Sequence, residues 1–405
     1  MSLLPVSDAK NRLLAKAAPI ARTEILPLAE VDGRVLASNL TARLTQPPFN
    51  ASAMDGYALR HEDLGEAASI LTVIGTSAAG HQFDGIVGRS EAVRIFTGAP
   101  VPEGADSVLL QEDAERLEDG RIRTGYAVRK GQHIRPRGQD FTKGDVVLPA
   151  GTELDFARLT VAAAMNHPQI EVFARPLVAI LATGDELVQP GAIPGPAQIV
   201  ASNTSGIAAL ARAAGAAILD LDIVPDDRAA LTSAIETARA AGADVIVTLG
   251  GASVGDHDIV QSTLVAAGME LDFWRIAMRP GKPLMVGSFG KTHVLGLPGN
   301  PVSSLVCGLL FLEPLIRKLA SLPPLARERT ALAKVRLAGN DQRQDYIRAR
   351  LSTSPSGELL VEPFAKQDSS MMSTFAHSDC LVIRPPHAAE LPVGAPCPIL
   401  LLRAY

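Results

Sequence analysis

The chain has 405 residues, 47% hydrophobic and 20% charged, with a net charge of −5 and only three cysteines, Cys307, Cys380 and Cys397. The acidic balance speaks against a nucleic-acid binder, which needs a basic face, and the absence of a C-x-x-C pair speaks against a disulfide framework or a thiolate zinc site. At roughly 150 residues per domain, such a length divides into about two to four domains. Met1 to Lys10 has no charged leader followed by an apolar core, and the longest apolar run, Leu305 to Leu312, is far shorter than a membrane span. A cytoplasmic protein with neither membrane nor nucleic-acid partners is expected.

In chain order, Val6 to Ala18 reads as a helix, with Ser7 as its cap and Pro19 as its stop; Glu30 to Ser38 reads as a second. Gln46 to Tyr57 then breaks all periodicity. Its Pro47-Pro48 pair fixes an extended backbone, and Asp55-Gly56 is a turn signal that leaves Asp55 exposed, on bland grounds a hairpin turn. Between Ala58 and Val147 come short β-prone pieces (70–75, 92–96, 107–111 and 121–129), expected to form a mostly antiparallel domain. Within this stretch lie the loop from Phe96 to Asp106 and a turn, Arg135 to Asp140, that on charge alone is a solvated surface.

From Pro176 to Leu319, strand and helix signals alternate, which predicts a parallel sheet covered on both faces. Ligands of such sheets lie beyond the carboxyl ends of the strands. Three turns follow strands directly: Thr183-Gly184-Asp185-Glu186, Gly250 to Asp258, and Pro298-Gly299-Asn300-Pro301. They should meet in one cleft. Asp226 or Asp227 is expected to cap the helix after the second strand, and Asn300-Pro301 to start the last one. Beyond Pro323-Pro324, five short strands suggest a small barrel.

The turn at Gly250 carries the chemistry. Backbone N–H groups at a strand-to-helix turn suit a phosphate, and neighbouring acids suit a divalent cation that bridges to it. Gly250 to Gly255 has P-loop glycine spacing, but Asp256-His257 stands where Lys-Ser/Thr should follow, which removes the phosphate-gripping cation. Gly251-Ala-Ser253-Val-Gly255 also fits a nucleophile elbow, so a serine hydrolase with Asp272 and His293 behind Ser253 stays open as a rival. Glu186 and Asp258 could be first-turn acids serving the helix dipole or metal ligands. Arg275, Arg279 and Lys282, around a Pro-Gly turn, form a solvated loop or an oxyanion site.

Six motifs together resemble the molybdopterin molybdenumtransferases, a family that includes the C-terminal domain of gephyrin. They are Pro47 to Ala58, Phe96 to Asp106, Thr183 to Leu187, Gly250 to Gly255, Pro280 to Pro283 and Leu297 to Val302. The resemblance implies a multidomain α+β and α/β chain. Its central parallel α/β domain, 177–323, is similar to molybdopterin adenylyltransferases. A β-rich domain, 49–140, is inserted into an elongated N-terminal linking domain of 1–48 and 141–176, and 324–405 forms a C-terminal β-barrel-like domain. It implies a Mg²⁺-dependent transferase that converts adenylylated molybdopterin and molybdate to molybdenum cofactor and AMP. A homodimer is implied, with a molybdopterin adenylyltransferase and apo-molybdoenzymes as candidate partners.

Carried over by motif, Asp55, Asp140 and Asp227 (or Asp226) match acids needed for activity, and Arg275, Arg279 and Lys282 match the cationic loop. Glu186 and Asp258 match metal-side acids. The nucleotide or pterin cradle is matched by Thr183, Gly184, Asp185, Gly250, Gly251, Ser253 and Gly255, and by Pro298, Gly299 and Asn300. Arg275 and Arg279 replace lysines of several relatives, Gln139 replaces a Glu, and Asp368 replaces a Gly near Ser369 and Arg348. A scaffolding role, as in gephyrin-like domains, finds no extra segments here to support it.

Overall fold

The computed structural model describes residues 3–65, 68–250 and 259–403. The chain packs as two units, Ile25–Val172 and the remainder on either side of it. It opens with α1 (Val6–Lys16), which follows Pro5 without a side-chain cap. Ser7, expected to cap, instead donates its hydroxyl to Asp8 at 3.2 Å. Asp8 in the first turn and Lys16 in the last complement the helix dipole.

The unit Ile25–Val172 contains β1 (Gly56–Leu59), β2 (Ser69–Ser77), β3 (Glu91–Ile95), β4 (Ser107–Leu110), β5 (Glu115–Arg116) and β6 (Arg121–Thr124). They form one sheet in the order β4-β1-β3-β2-β6-β5, antiparallel throughout except between β2 and β3. A separate core in this unit joins Val31, Leu36 and Leu40 to Phe141, Leu154 and Ala162 of α2 (Phe156–Ala164). The helix expected over Glu30 to Ser38 does not form. Leu28–Glu30 makes a single 3₁₀ turn, Gly33 takes φ +68°, and Val35 and Leu36 run extended, bridging to Glu153 and Val172. A left-handed glycine followed by a β-branched residue favours that outcome over a helix.

In the other unit the chain builds β7 (Leu177–Thr183), the short strands β8 (Leu187–Val188) and β9 (Ile199–Val200), α3 (Asn203–Ala213), β10 (Ala217–Val224) and α4 (Arg228–Ala240). Then come β11 (Val245–Leu249), α5 (Ile259–Ala266), β12 (Glu270–Trp274), β13 (Met278–Arg279), β14 (Met285–Phe289) and β15 (Thr292–Leu297). Six strands form the central sheet, ordered β10-β7-β11-β15-β14-β12. The first four are parallel, as the alternation predicts, but β14 runs antiparallel to both of its neighbours, β15 and β12. The physical reason is a tight hairpin: Phe289 pairs with Thr292 across Gly290-Lys291, and Gly290 supplies φ +60°.

Strand residues alternate between two cores. Val178, Ile180 and Ala182 of β7, with Val245 and Val247 of β11, pack against α1, α3 and the last helices. Ala179 and Leu181, with Ile246, pack against Leu231 and Ile235 of α4 and Val260 and Leu264 of α5. Burial on both faces is why these strands read as continuous apolar runs.

A long helix follows as α6 (Pro301–Cys307), a π-helical turn at Gly308–Leu312 and α7 (Glu313–Leu319). Then come β16 (Glu328–Ala333), β17 (Gln344–Thr353), β18 (Leu359–Pro363), α8 (Met372–Ala376), β19 (Cys380–Arg384) and β20 (Pro396–Leu401). These strands order as β17-β18-β16-β20-β19, and β19 pairs back onto β17, which closes the expected barrel. β13 joins this barrel, not the central sheet, by pairing with the start of β17. Among the described residues no helix is long and apolar enough to cross a membrane.

Arg327 ties α7 to the barrel. Its Nη2 meets Glu313 at 2.7 Å, while Nη1 donates to the carbonyls of Leu401 and Leu402 at 3.1 Å. The two side chains are 19% and 6% exposed, so removing one partner strands a buried charge. Glu313→Gln should cost about 3 kcal/mol of stability in urea unfolding, whereas Glu362→Gln, which breaks the exposed pair with Lys334, should cost less than about 1 kcal/mol.

Candidate functional site

The register of the central sheet sets the site. Ala182 pairs with Leu249 and Leu249 with Leu297, so the chain leaves three adjacent strands at the same level, through Thr183, Gly250 and Pro298. The first and third of the turns predicted to converge therefore do so, together with Gly250, the one described residue of the second. Thr183, Gly184, Gly250, Pro298, Gly299 and Asn300 all line one cleft of roughly 1010 Å³. At Gly250, φ is +95° and a Cβ would sit 2.7 Å from the carbonyl oxygen of Thr183, so only glycine lets these strand ends lie this close.

Acids gather on one side. Glu186 folds its carboxylate back over Gly184, where a Cβ would meet Oε2 at 2.3 Å. Of the acidic pair after β10, Asp227 caps α4, accepting from Ala230 N at 2.8 Å, and Asp226 lines the cleft. The backbone N–H of Asp226 donates to Asp185 at 3.2 Å. Burial, then the charges of Asp185 and Glu186, push the Asp226 carboxyl above its ordinary pKa.

The opposite wall comes from the Pro298–Pro301 turn and the C-terminal segment. Asn300 starts α6 without a capping side-chain bond; its Nδ2 donates to Ser369 Oγ at 3.1 Å. Ser370 and Met372 also line the cleft. Two side-chain oxygens of cleft residues, Thr183 Oγ1 and Asn203 Oδ1, are buried with no hydrogen-bond partner among the described residues.

The remaining predicted residues lie elsewhere. Gly251, Ser253, Gly255 and Asp258 fall outside the described residues. Arg279 stands on β13 in a forked pair with Asp345, its Nε donating at 2.9 Å, with Asp341 at 3.5 Å. Arg275 stacks on Trp274, 4.7 Å from the ring centroid, and Lys282 is exposed on the same loop. In the unit Ile25–Val172, Asp55 accepts from Thr97 N at 2.8 Å and Oγ1 at 2.7 Å, which holds its carboxyl below the usual range, the backbone bond first. Asp140 lines a separate pocket of that unit with Pro47, Phe49 and Arg135.

The serine-hydrolase alternative finds no support. Asp272 is held by Arg12 and by Lys16 Nζ at 2.9 Å. His293 pairs with Val245, four residues back along β15 from Leu297, roughly 13 Å from the strand ends at the usual rise per residue. There burial depresses its imidazole pKa. It belongs to the core at the far edge of the sheet.

Sequence reasoning missed Asn203, Ile199, Ser370 and Met372. Asn203 is the first residue of α3, and the others sit on segments without periodicity.

Three family descriptions cover the chain: "MoeA N-terminal region (domain I and II)" over residues 4–166, "Probable molybdopterin binding domain" over 179–318, and "MoeA C-terminal region (domain IV)" over 330–402. The molybdopterin molybdenumtransferase of Haemophilus influenzae is 34% identical over 383 residues, covering 94% of each chain. That of Nostoc is 40% identical over 307 residues, 74% of this chain and 70% of its own. The crystal structure of the molybdopterin biosynthesis MoeA protein of Pyrococcus horikosii, 29% identical, matches with a TM-score of 0.83 over 100% of both chains. With relatives this similar along nearly its whole length, and a cleft formed where its parallel strands end, the chain belongs to the molybdopterin molybdenumtransferase family.

Proposed function

We propose that the chain inserts molybdate into adenylylated molybdopterin, releasing AMP and yielding molybdenum cofactor. The observation that carries this assignment is the cleft itself: a glycine strand end, backbone turns and acids converge beside apolar walls. The turns suit the phosphates of the substrate, since backbone N–H groups at strand-to-helix turns bind anions. Thr183 and Asn300 offer neutral hydrogen-bonding groups that orient it. Arg275, Arg279 and Lys282 are proposed to receive molybdate, with arginine supplying forked donors where lysine would act as a point charge.

The donor set suits Mg²⁺. This ion takes one or two carboxylates plus substrate phosphate and keeps several waters, and Glu186 and Asp226 bring carboxylates to the cleft. Glu186 and Asp258 are the proposed holders, with Asp226 facing Glu186. These acids would hold the ion, which would supply neutralising charge at the phosphate. Asp55 and Asp140 are proposed as further acids of the reaction, and of the pair Asp226 and Asp227 the cleft-lining Asp226 takes the third place, since Asp227 caps α4. A cytoplasmic homodimer is proposed as the working form, with a molybdopterin adenylyltransferase and apo-molybdoenzymes as partners.

Purified protein given adenylylated molybdopterin, Mg²⁺ and molybdate should release AMP; no release beside an active control would refute the assignment. Glu186→Gln, Asp258→Asn and Asp55→Asn should each lower that rate by about 100-fold or more while circular dichroism shows a folded chain. Loss of folding would instead make these acids structural. Because the Asp226 pKa is raised, protons compete with a cation there, and without metal its ionisation opposes folding increasingly as pH rises through the raised value. Calorimetric Mg²⁺ affinity should therefore fall as pH is lowered through that raised value, and Asp226→Asn should reduce the slope; an unchanged slope would remove Asp226 from the ion's surroundings.

A further inference from the structure

In the unit Ile25–Val172, the turn that carries Asp55 is braced by a cation. Arg94 on β3 pairs directly with Tyr57 on β1, and its guanidinium carbon stands 5.2 Å from the Tyr57 ring centroid and 4.8 Å from that of Phe96. Cation–π contact with two rings confines this long, half-buried side chain. Tyr57 is itself buried, and Arg116 Nε donates to its hydroxyl at 2.9 Å. The donors of Arg94 go to a backbone carbonyl and a neutral amide: Nη1 donates to Gly56 O at 2.9 Å and Nη2 to Gln111 Oε1. Gln111 in turn donates its N–H to the Asp55 carbonyl at 3.2 Å and its Nε2 to Glu112 Oε1 at 3.0 Å. Gly56 has no room for a side chain, since a Cβ would sit 1.9 Å from Leu109 O. The turn is therefore held by Thr97 at the Asp55 carboxylate, by Gln111 at the Asp55 carbonyl and by Arg94 at the Gly56 carbonyl.

We propose that Arg94 is a positioning residue for the reaction of this chain: it fixes the Asp55-Gly56 turn through the Gly56 carbonyl and keeps a positive charge beside the Asp55 carboxylate. A hydrogen bond from an ionised donor is roughly twice as strong as a neutral one, and this one acts on the residue next to the acid. With a carbonyl and an amide as its acceptors, the guanidinium keeps its charge available to Asp55. The bonds from Thr97, the backbone N–H first, hold the Asp55 carboxyl low, and the Arg94 charge adds to them. Arg94 touches no reacting atom in this role; it acts through Asp55. The inference rests on Asp55 being an acid of the proposed reaction.

AMP release by the full chain, measured across pH as kcat and KM for adenylylated molybdopterin, tests this role. Arg94→Met keeps an apolar stem against the two rings but removes the charge and the donors. It should lower kcat roughly tenfold, leave KM unchanged and move the acid limb of the profile to higher pH, because Asp55 then takes its proton more readily. Arg94→Lys keeps the charge and should restore the limb and most of the rate. A folded Arg94→Met chain with unaltered kcat or an unmoved limb, or Arg94→Lys no better than Arg94→Met, overturns the role while the proposed reaction stands. Should Arg94→Met fail to fold, Gln111→Leu, at an exposed position, decides in its place by removing the acceptor of Nη2: a lowered kcat at unchanged KM supports the role, and an unaltered kcat overturns it. Unaltered protein that releases no AMP beside an active control overturns both the reaction and the role.

Discussion

Everything at the cleft depends on the register among β7, β11 and β15. Pairing of Ala182 with Leu249 and of Leu249 with Leu297 brings three strand ends level, and burial on both faces fixes that pairing. A shift by one residue would exchange the two apolar faces of a strand, sending Val178, Ile180 and Ala182 from one core into the other. It would also separate Gly250 from Thr183, whose near contact leaves no room for a side chain. Core packing and ligand geometry are therefore one constraint, set by the same residues.

The opposite edge of the sheet is held by charge instead. Asp244, just before β11, receives Arg22 through both oxygens, at 2.9 Å and 2.6 Å, and also accepts from Leu177 N at 2.8 Å. Asp272 takes Arg12 and Lys16 from α1. The Arg22 pair anchors the chain after α1 at the start of β11, and the Asp272 pairs fasten α1 to the edge strand β12. Acids at the two edges thus do different work: Asp244 and Asp272 are neutralised within the chain, whereas Asp226 sits among like charges and keeps its carboxyl protonated more readily.

Much of this was legible in the sequence. The strand-to-turn signals at Thr183, Gly250 and Pro298 rest on apolar runs ended by glycine or proline, which are local features, and parallel topology then forces their convergence. The barrel was legible for the same reason, as short strands without helical spacing. The antiparallel edge was not, because Met285 to Phe289 is interrupted by Gly287 and its hairpin is a matter of two residues. The false helix at Glu30 to Ser38 came from apolar spacing that extended bridges satisfy equally well. Choosing Asp226 over Asp227 as the cleft acid required knowing which carboxylate reaches Ala230 N. Asn203 and Met372 meet the cleft only through tertiary packing, so no spacing pointed to them.

The strand Met278–Arg279 lies between two strands of the central sheet in sequence yet pairs with the barrel in space, and its arginine is clasped by Asp345, only 5% exposed. An oxyanion that recruits this guanidinium must compete with a carboxylate that has little water to fall back on. Any such anion would leave Asp345 with reduced compensation for its buried charge, at the first rung of β17. The barrel is thereby more than a covering: its first rung holds Arg279, and an anion drawn to that guanidinium would link its own binding to the barrel's stability.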